Sequence, residues 1–162
     1  MLIAYDGTER AGRALEYAAQ LLRPTTVEIL TAWEPVARQT ARAVSRTGIH
    51  QSTVSPDGVE EDSAYEEALK ICRQGIELAE SLGLAGRAHL VESATTISSA
   101  IIDAAHELDV DVIVTGTRAL TGFRAWWTNS TADQIVRNAG LPVFIVPQEN
   151  EEDADDDEAE YF

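Results

Sequence analysis

DVDVIVTGTRALTGFRAWWTNSTADQIVRNAGLPVFIVP, residues Asp109–Pro147, is the stretch whose reading decides the fold. It holds two apolar runs, Val110–Thr115 and Leu141–Val146. Both are short, rich in Val and Ile, and lack the alternation of a strand with one wet face. Runs of this kind suit strands covered on both faces of a parallel sheet. Between them come glycines at Gly116 and Gly122, a polar run Thr128–Thr131, and a helical pattern carrying Ala132, Ile135, Val136 and Ala139. Strand, loop, helix, strand makes a βαβ unit. Its right-handed crossover places the loop at the carboxyl end of the first strand, where open α/β sheets take their ligands.

The chemistry of that loop points to an anion. Ser130 or Asn129 can cap the following helix, whose free N–H groups and partial positive charge attract phosphate. Arg118 and Arg124 add two cations to the same segment. Glycines and a cap are also what any strand-to-helix connection needs, so the loop alone leaves a plain structural reading open.

These residues resemble the universal stress protein family, whose ATP-binding members carry G-x2-G-x9-G-[ST] here. On this sequence the first glycine is Gly116 and the final hydroxyl is Ser130, while Ala119 and Asn129 stand where the other two glycines would be. Gly122 lies off the pattern. The resemblance runs from Met1 to Pro147, most clearly in LIAYDGTERAGRAL near the start and LPVFIVP near the end. It implies a doubly wound, flavodoxin-like sheet of five parallel strands in the order 3-2-1-4-5, of the adenine-nucleotide alpha hydrolase type. It also implies ATP or AMP as ligand, with Mg possible beside it, bound between the first and fourth strands. Asp6 would lie by the ribose and the Ala32 backbone would read the adenine edge. Gly116, Thr117, Arg118, Gly122, Asn129, Ser130 and Thr131 would serve the phosphates. Relatives dimerise through the last strand, so a homodimer through Leu141–Pro147 is expected. A ligand-free homodimeric interaction module, as in relatives without the glycine motif, is the alternative.

Composition limits the other classes. The chain has 162 residues, 44% of them hydrophobic, enough for one domain with a real core. No apolar run approaches the roughly 18 residues of a membrane span, and no basic-then-apolar leader is expected before Leu2–Tyr5. The lone cysteine, Cys72, sits on an apolar helical stripe and reads as an inert core thiol suited to a reducing cytoplasm. Three scattered histidines give no paired spacing for a metal. No nucleophile elbow or P-loop is present, so catalysis beyond slow ATP turnover is not expected.

The net charge of −16 is uneven, because nine acids crowd into Glu149–Glu160. The body keeps 19 acids against 12 bases, about −7, a balance that disfavours nucleic acid. Residues 148–162 read as a solvated, disordered acidic tail, separate from a domain over 1–147.

The remaining chain reads as alternating strands and helices. Leu2–Tyr5 is a strand ending at Asp6-Gly7-Thr8, where Thr8 caps a helix reaching about Leu22. Asp6 reads equally as a turn former. Val27–Ala32 is the second strand, and Trp33 can wall the pocket or pack under the loop that follows, packing being the expected role. Val36–Asp62 shows no clean pattern, although ARQTARAV can form a basic helical turn in which Arg38, Arg42 and Arg46 share a face at spacing four; they read as solvated, with reach to a ligand phosphate as the alternative. A helix is expected from Ala64 to Leu82 with Leu69, Cys72, Ile76 and Ala79 inward. Arg87–Glu92 is the third strand. Thr95 or Thr96 caps a further helix with Ile97, Ile101, Ala104 and Leu108 as its stripe. Five strands and four helices result.

Overall fold

The computed structural model describes residues 1–47, 63–117 and 130–147. Five parallel strands form one sheet: β1 (Leu2–Ala4), β2 (Thr26–Trp33), β3 (Ala85–Glu92), β4 (Ile113–Thr117) and β5 (Val143–Pro147). Their order is β3-β2-β1-β4-β5, as the resemblance implied. Five helices flank them among the described residues: α1 (Glu9–Leu22), α2 (Val36–Thr47), α3 (Ser63–Ser81), α4 (Ile97–Glu107) and α5 (Thr131–Asn138).

Period-two geometry explains the unbroken apolar runs. In β1, Leu2 faces one core with Leu30, Ile113, Ile101 and Ile135, while Ile3 faces the other with Val27, Ile29, Val114 and Leu15. Both layers are dry, so neither side of the strand needs a polar residue. Val110 is buried yet lies outside β4; it belongs to the turn that closes α4, its N–H donating to the Ala105 carbonyl at 3.1 Å.

Three helices bury a stripe that differs from the expected one. On α3 the buried residues are Ala68, Cys72, Gly75 and Ala79, with Leu69 and Ile76 only half-buried. Gly75 is the cause: a Cβ there would stand 2.7 Å from Ile29 Cγ2 and 2.9 Å from Tyr5 Cδ1, so the helix leans onto the sheet along its small residues. On α4, Ile101 and Ala104 are buried, but Ile97 is exposed at the helix start. On α5, Ala132, Ile135 and Ala139 are buried and Val136 is exposed.

The fifth helix, α2, extends to twelve residues what the sequence offers as one basic helical turn. Two of its arginines, Arg38 and Arg42, do the attaching. Arg38 donates to the Ser93 carbonyl and, at 3.1 Å, to Glu92 Oε1. Arg42 donates to the Thr95 carbonyl and lies 3.3 Å from Glu34 Oε1. Arg38 and Arg42 are therefore bound to the body rather than solvated. The apolar residues of its first turns, Val36, Ala37 and Ala41, stay exposed, so the helix is held by polar contacts rather than by a buried face.

Caps fall where expected. Thr8 Oγ1 accepts from the Ala11 N–H, and Thr96 and Ser99 bond reciprocally in a capping box at the start of α4. Cys72 is buried. No described helix is long and apolar enough to cross a membrane.

Candidate functional site

The carboxyl ends of β1 and β2 open into a cleft of about 510 Å³. Asp6, Thr31 and Ala32 form its floor, and Ile71 of α3, Ile97 of α4 and Val36 of α2 supply apolar walls. Trp33 both lines this cleft and packs edge-on against Tyr65, ring centroids 5.4 Å apart. Carboxylates of Glu34 and Glu67 stand at the rim.

Asp6 acts as a turn former and also lines the cleft. Gly7 takes φ 76, a left-handed turn that glycine adopts without strain. Within that turn Asp6 Oδ1 accepts from the Thr8 N–H at 3.0 Å and from the Thr8 hydroxyl. Its other oxygen, Oδ2, is 3.9 Å from Arg10, and the side chain stays largely exposed on the cleft wall. The neighbouring Tyr5 phenol is pushed up from its ordinary pKa by burial and then by the Asp6 charge.

Ala32 offers its backbone to the cleft. Leu30 O is bonded on the β1 side by the Tyr5 N–H at 2.9 Å, and Trp33 O is bonded on the β3 side by the Ser93 N–H at 2.8 Å. Successive residues of a strand turn their N–H and C=O groups to opposite sides, so Ala32 points to the β1 side. There β1 has already ended at Ala4 and the chain has turned away. The Thr31 hydroxyl takes up Tyr5 O at 2.9 Å, leaving the Ala32 pair facing open space.

The phosphate half of the expected site is divided. Gly116 and Thr117 end β4, on the far side of β1 from the cleft, and with Ser130 and Thr131 they do not line it. Gly116 has a packing task of its own: a Cβ there would stand 2.6 Å from the Arg10 carbonyl oxygen in the first turn of α1. Ser130, rather than Asn129, caps α5, its Oγ accepting from the Asp133 N–H at 3.1 Å. The cap uses an oxygen lone pair and leaves the Ser130 O–H and the exposed Thr131 hydroxyl able to donate. Asp133 is buried in the first turn of α5 and bonds Arg137 Nε at 2.8 Å. Arg118, Ala119, Gly122, Arg124 and Asn129 lie outside the described residues.

Among the lining residues that escaped the sequence reading are Ile71, Ile97 and Gln39. Ile97 reads as core by its spacing. Gln39 carried no signal; its amide bonds the Glu34 carbonyl just after β2.

The model of the universal stress protein family matches residues 1–147. Among similar solved structures is a universal stress protein in complex with cAMP, 22% identical, TM-score 0.60, covering 90% of this chain and 94% of that one. Another, from Archaeoglobus fulgidus in complex with dAMP, is 21% identical with TM-score 0.61, covering 90% and 94%. A third, from Arabidopsis thaliana with AMP bound, is 13% identical with TM-score 0.58, covering 96% and 95%. No curated protein sequence matches at a significant level. The three structures share the fold of this chain. Strand order, the Asp6–Thr8 turn and a family match spanning every described element converge on one conclusion: the chain belongs to the universal stress protein family.

Proposed function

We propose that this chain binds an adenine nucleotide, with its base at Ala32, its ribose at Asp6 and its phosphates toward Gly116 and the Ser130-capped start of α5. The observation that carries the reading is the cleft itself. It sets an unpaired strand backbone and a carboxylate between apolar walls at the carboxyl edge of the sheet. A flat aromatic base gains from Ile71 and Ile97 on its faces, and its polar edge gains from the Ala32 backbone. The nucleotides bound to the similar structures, cAMP, dAMP and AMP, share an adenine and differ in phosphate and sugar, which favours recognition of the base. AMP or ATP, the latter with Mg, is the proposed ligand, and a cytoplasmic stress-response role is part of the same reading.

Calorimetry of the full chain with AMP and with ATP tests it. Saturable heat, with a matching rise in melting temperature, is expected at ligand concentrations up to millimolar. No heat and no thermal shift with either nucleotide would refute the proposal.

The second reading, a homodimer formed along β5, is favoured by the geometry of that edge. Both faces of β5 are already in use, since Val143 packs on one core and Phe144 and Val146 on the other. Val146 is buried and Val143, Phe144 and Ile145 are half-buried, so the faces of the strand offer an interface little apolar surface. The outward edge remains. The Ile113 N–H donates to Pro142 O at 3.0 Å, which turns Phe144 and Val146 to β4 and Val143 and Ile145 outward. Their N–H groups are the natural template for a second chain.

A further inference from the structure

We propose that Arg10 of α1 holds the 5′-phosphate of the ligand, so that the site takes nucleotides in preference to the bare nucleoside. The inference rests on the nucleotide reading above and adds a cation that the loop pattern at Gly116–Ser130 does not contain. β1 and β4 are neighbours in the sheet, and the helices that follow them lie on opposite faces, α1 in the layer of Ile3 and α5 in the layer of Leu2. The ends of two such strands part into a crevice, the usual ligand position of an open α/β sheet.

Arg10 spans the two lips of that crevice. Its stem starts at the end of β4, where a Cβ on Gly116 would stand 2.9 Å from Arg10 Cβ; only glycine at this position lets α1 lie so close. Its head reaches the end of β1, with Nη2 3.9 Å from Asp6 Oδ2. The side chain is only 25% exposed, yet among the described residues Asp6 is its ionic partner at a distance beyond a hydrogen bond. Asp6 uses its other oxygen for the Thr8 N–H and hydroxyl. The carboxylate therefore steers the guanidinium without saturating its five N–H donors. A fork held in this way is suited to a phosphate, which accepts two parallel bonds from it. Asp6 and Arg10 are in contact, which suits adjacent groups of one ligand, a ribose on the first and its 5′-phosphate on the second.

The test is calorimetric titration of the full chain, of Arg10→Met and of Arg10→Lys with AMP and with adenosine. Methionine keeps most of the apolar stem that lies against β4, and melting curves check that both variants fold as the parent does. The parent is expected to bind AMP more tightly than adenosine. Arg10→Met should lose AMP affinity by about tenfold or more and keep its adenosine affinity. Arg10→Lys, a point charge in place of a fork, should fall between the two. AMP affinity within about twofold of the parent in both variants, or an equal loss for adenosine, would overturn the role of Arg10 and leave the nucleotide reading standing. No binding of either ligand by any of the three proteins would overturn both.

Discussion

Arg10 and Gly116 meet where the first turn of α1 crosses the end of β4, so closely that a Cβ on Gly116 would stand 2.6 Å from the Arg10 carbonyl oxygen. The first glycine of the family's phosphate pattern is thus also a packing glycine. Backbone cannot yield as a flexible side chain can, so Gly116→Ala must move α1 away from β4. The expected cost is about 1–3 kcal/mol, read from urea denaturation. A variant as stable as the parent would show that α1 shifts freely. The same variant is a poor probe of ligand contacts, because it disturbs Asp6 through α1.

A second prediction concerns Glu28, buried on β2 and held by two residues of β3. Its carboxylate meets Arg87 on one oxygen and His89 Nε2 at 2.6 Å on the other. Arg87 is mostly exposed, so solvent screens its share. His89 is the more sheltered partner, and His89→Ala should cost about 1–2 kcal/mol by leaving one buried oxygen unpaired. Denaturation with a loss below about 0.5 kcal/mol would mean that water replaces the imidazole.

The Tyr5 phenol gives a pH prediction. Its folded pKa is raised above the ordinary 10.0, by burial first and by Asp6 second. A raised folded value means that the folded chain keeps a proton the unfolded chain has lost. The stability contributed is therefore fully present below about pH 10 and is lost as pH rises through the higher folded value. Melting temperatures between pH 8 and pH 11 should fall more steeply for the parent than for Tyr5→Phe. Parallel curves would remove Tyr5 as the cause.

Pairing along β5 predicts opposite outcomes for neighbouring prolines. Ile145→Pro deletes an outward N–H and spares the β4 ladder, so it should give a folded monomer by light scattering. Val146→Pro deletes a bond to β4 and should destabilise the fold itself. A parent chain that is monomeric at tens of micromolar, or an Ile145→Pro dimer, would rule out this edge as the interface.

How much of this was legible in the sequence follows from where each signal lives. Strands with two dry faces are written locally as runs of Val, Ile and Leu, and Thr8, Thr96 and Ser130 announce their helices by capping chemistry. Asp6 and Ala32 were reachable through the resemblance, and both line the cleft. Leu69 and Ile76 misled because Gly75, a long-range contact with Ile29 and Tyr5, decides how α3 is turned. Ile97 misled for a related reason: it follows the helical period of α4, yet at the first position it overhangs the sheet edge and faces the cleft. Arg38 and Arg42 have partners more than fifty residues away, at Glu92, Ser93 and Thr95. Pairings of that kind leave no trace in a local pattern.

The grip of those two arginines bears on how this cleft can evolve. Arg38 and Arg42 hold the main-chain oxygens of Ser93 and Thr95, which every amino acid provides. Substitutions at positions 93 and 95 can therefore accumulate without freeing α2, provided the backbone path is kept. The two arginines have no such latitude, since a lysine offers a single point of charge in place of the fork that reaches a carbonyl and a carboxylate together. The roof of the cleft is thus tolerant of drift on one side and intolerant on the other, and new ligand preferences can arise at Val36 and Gln39 while the attachment beneath them stays constant.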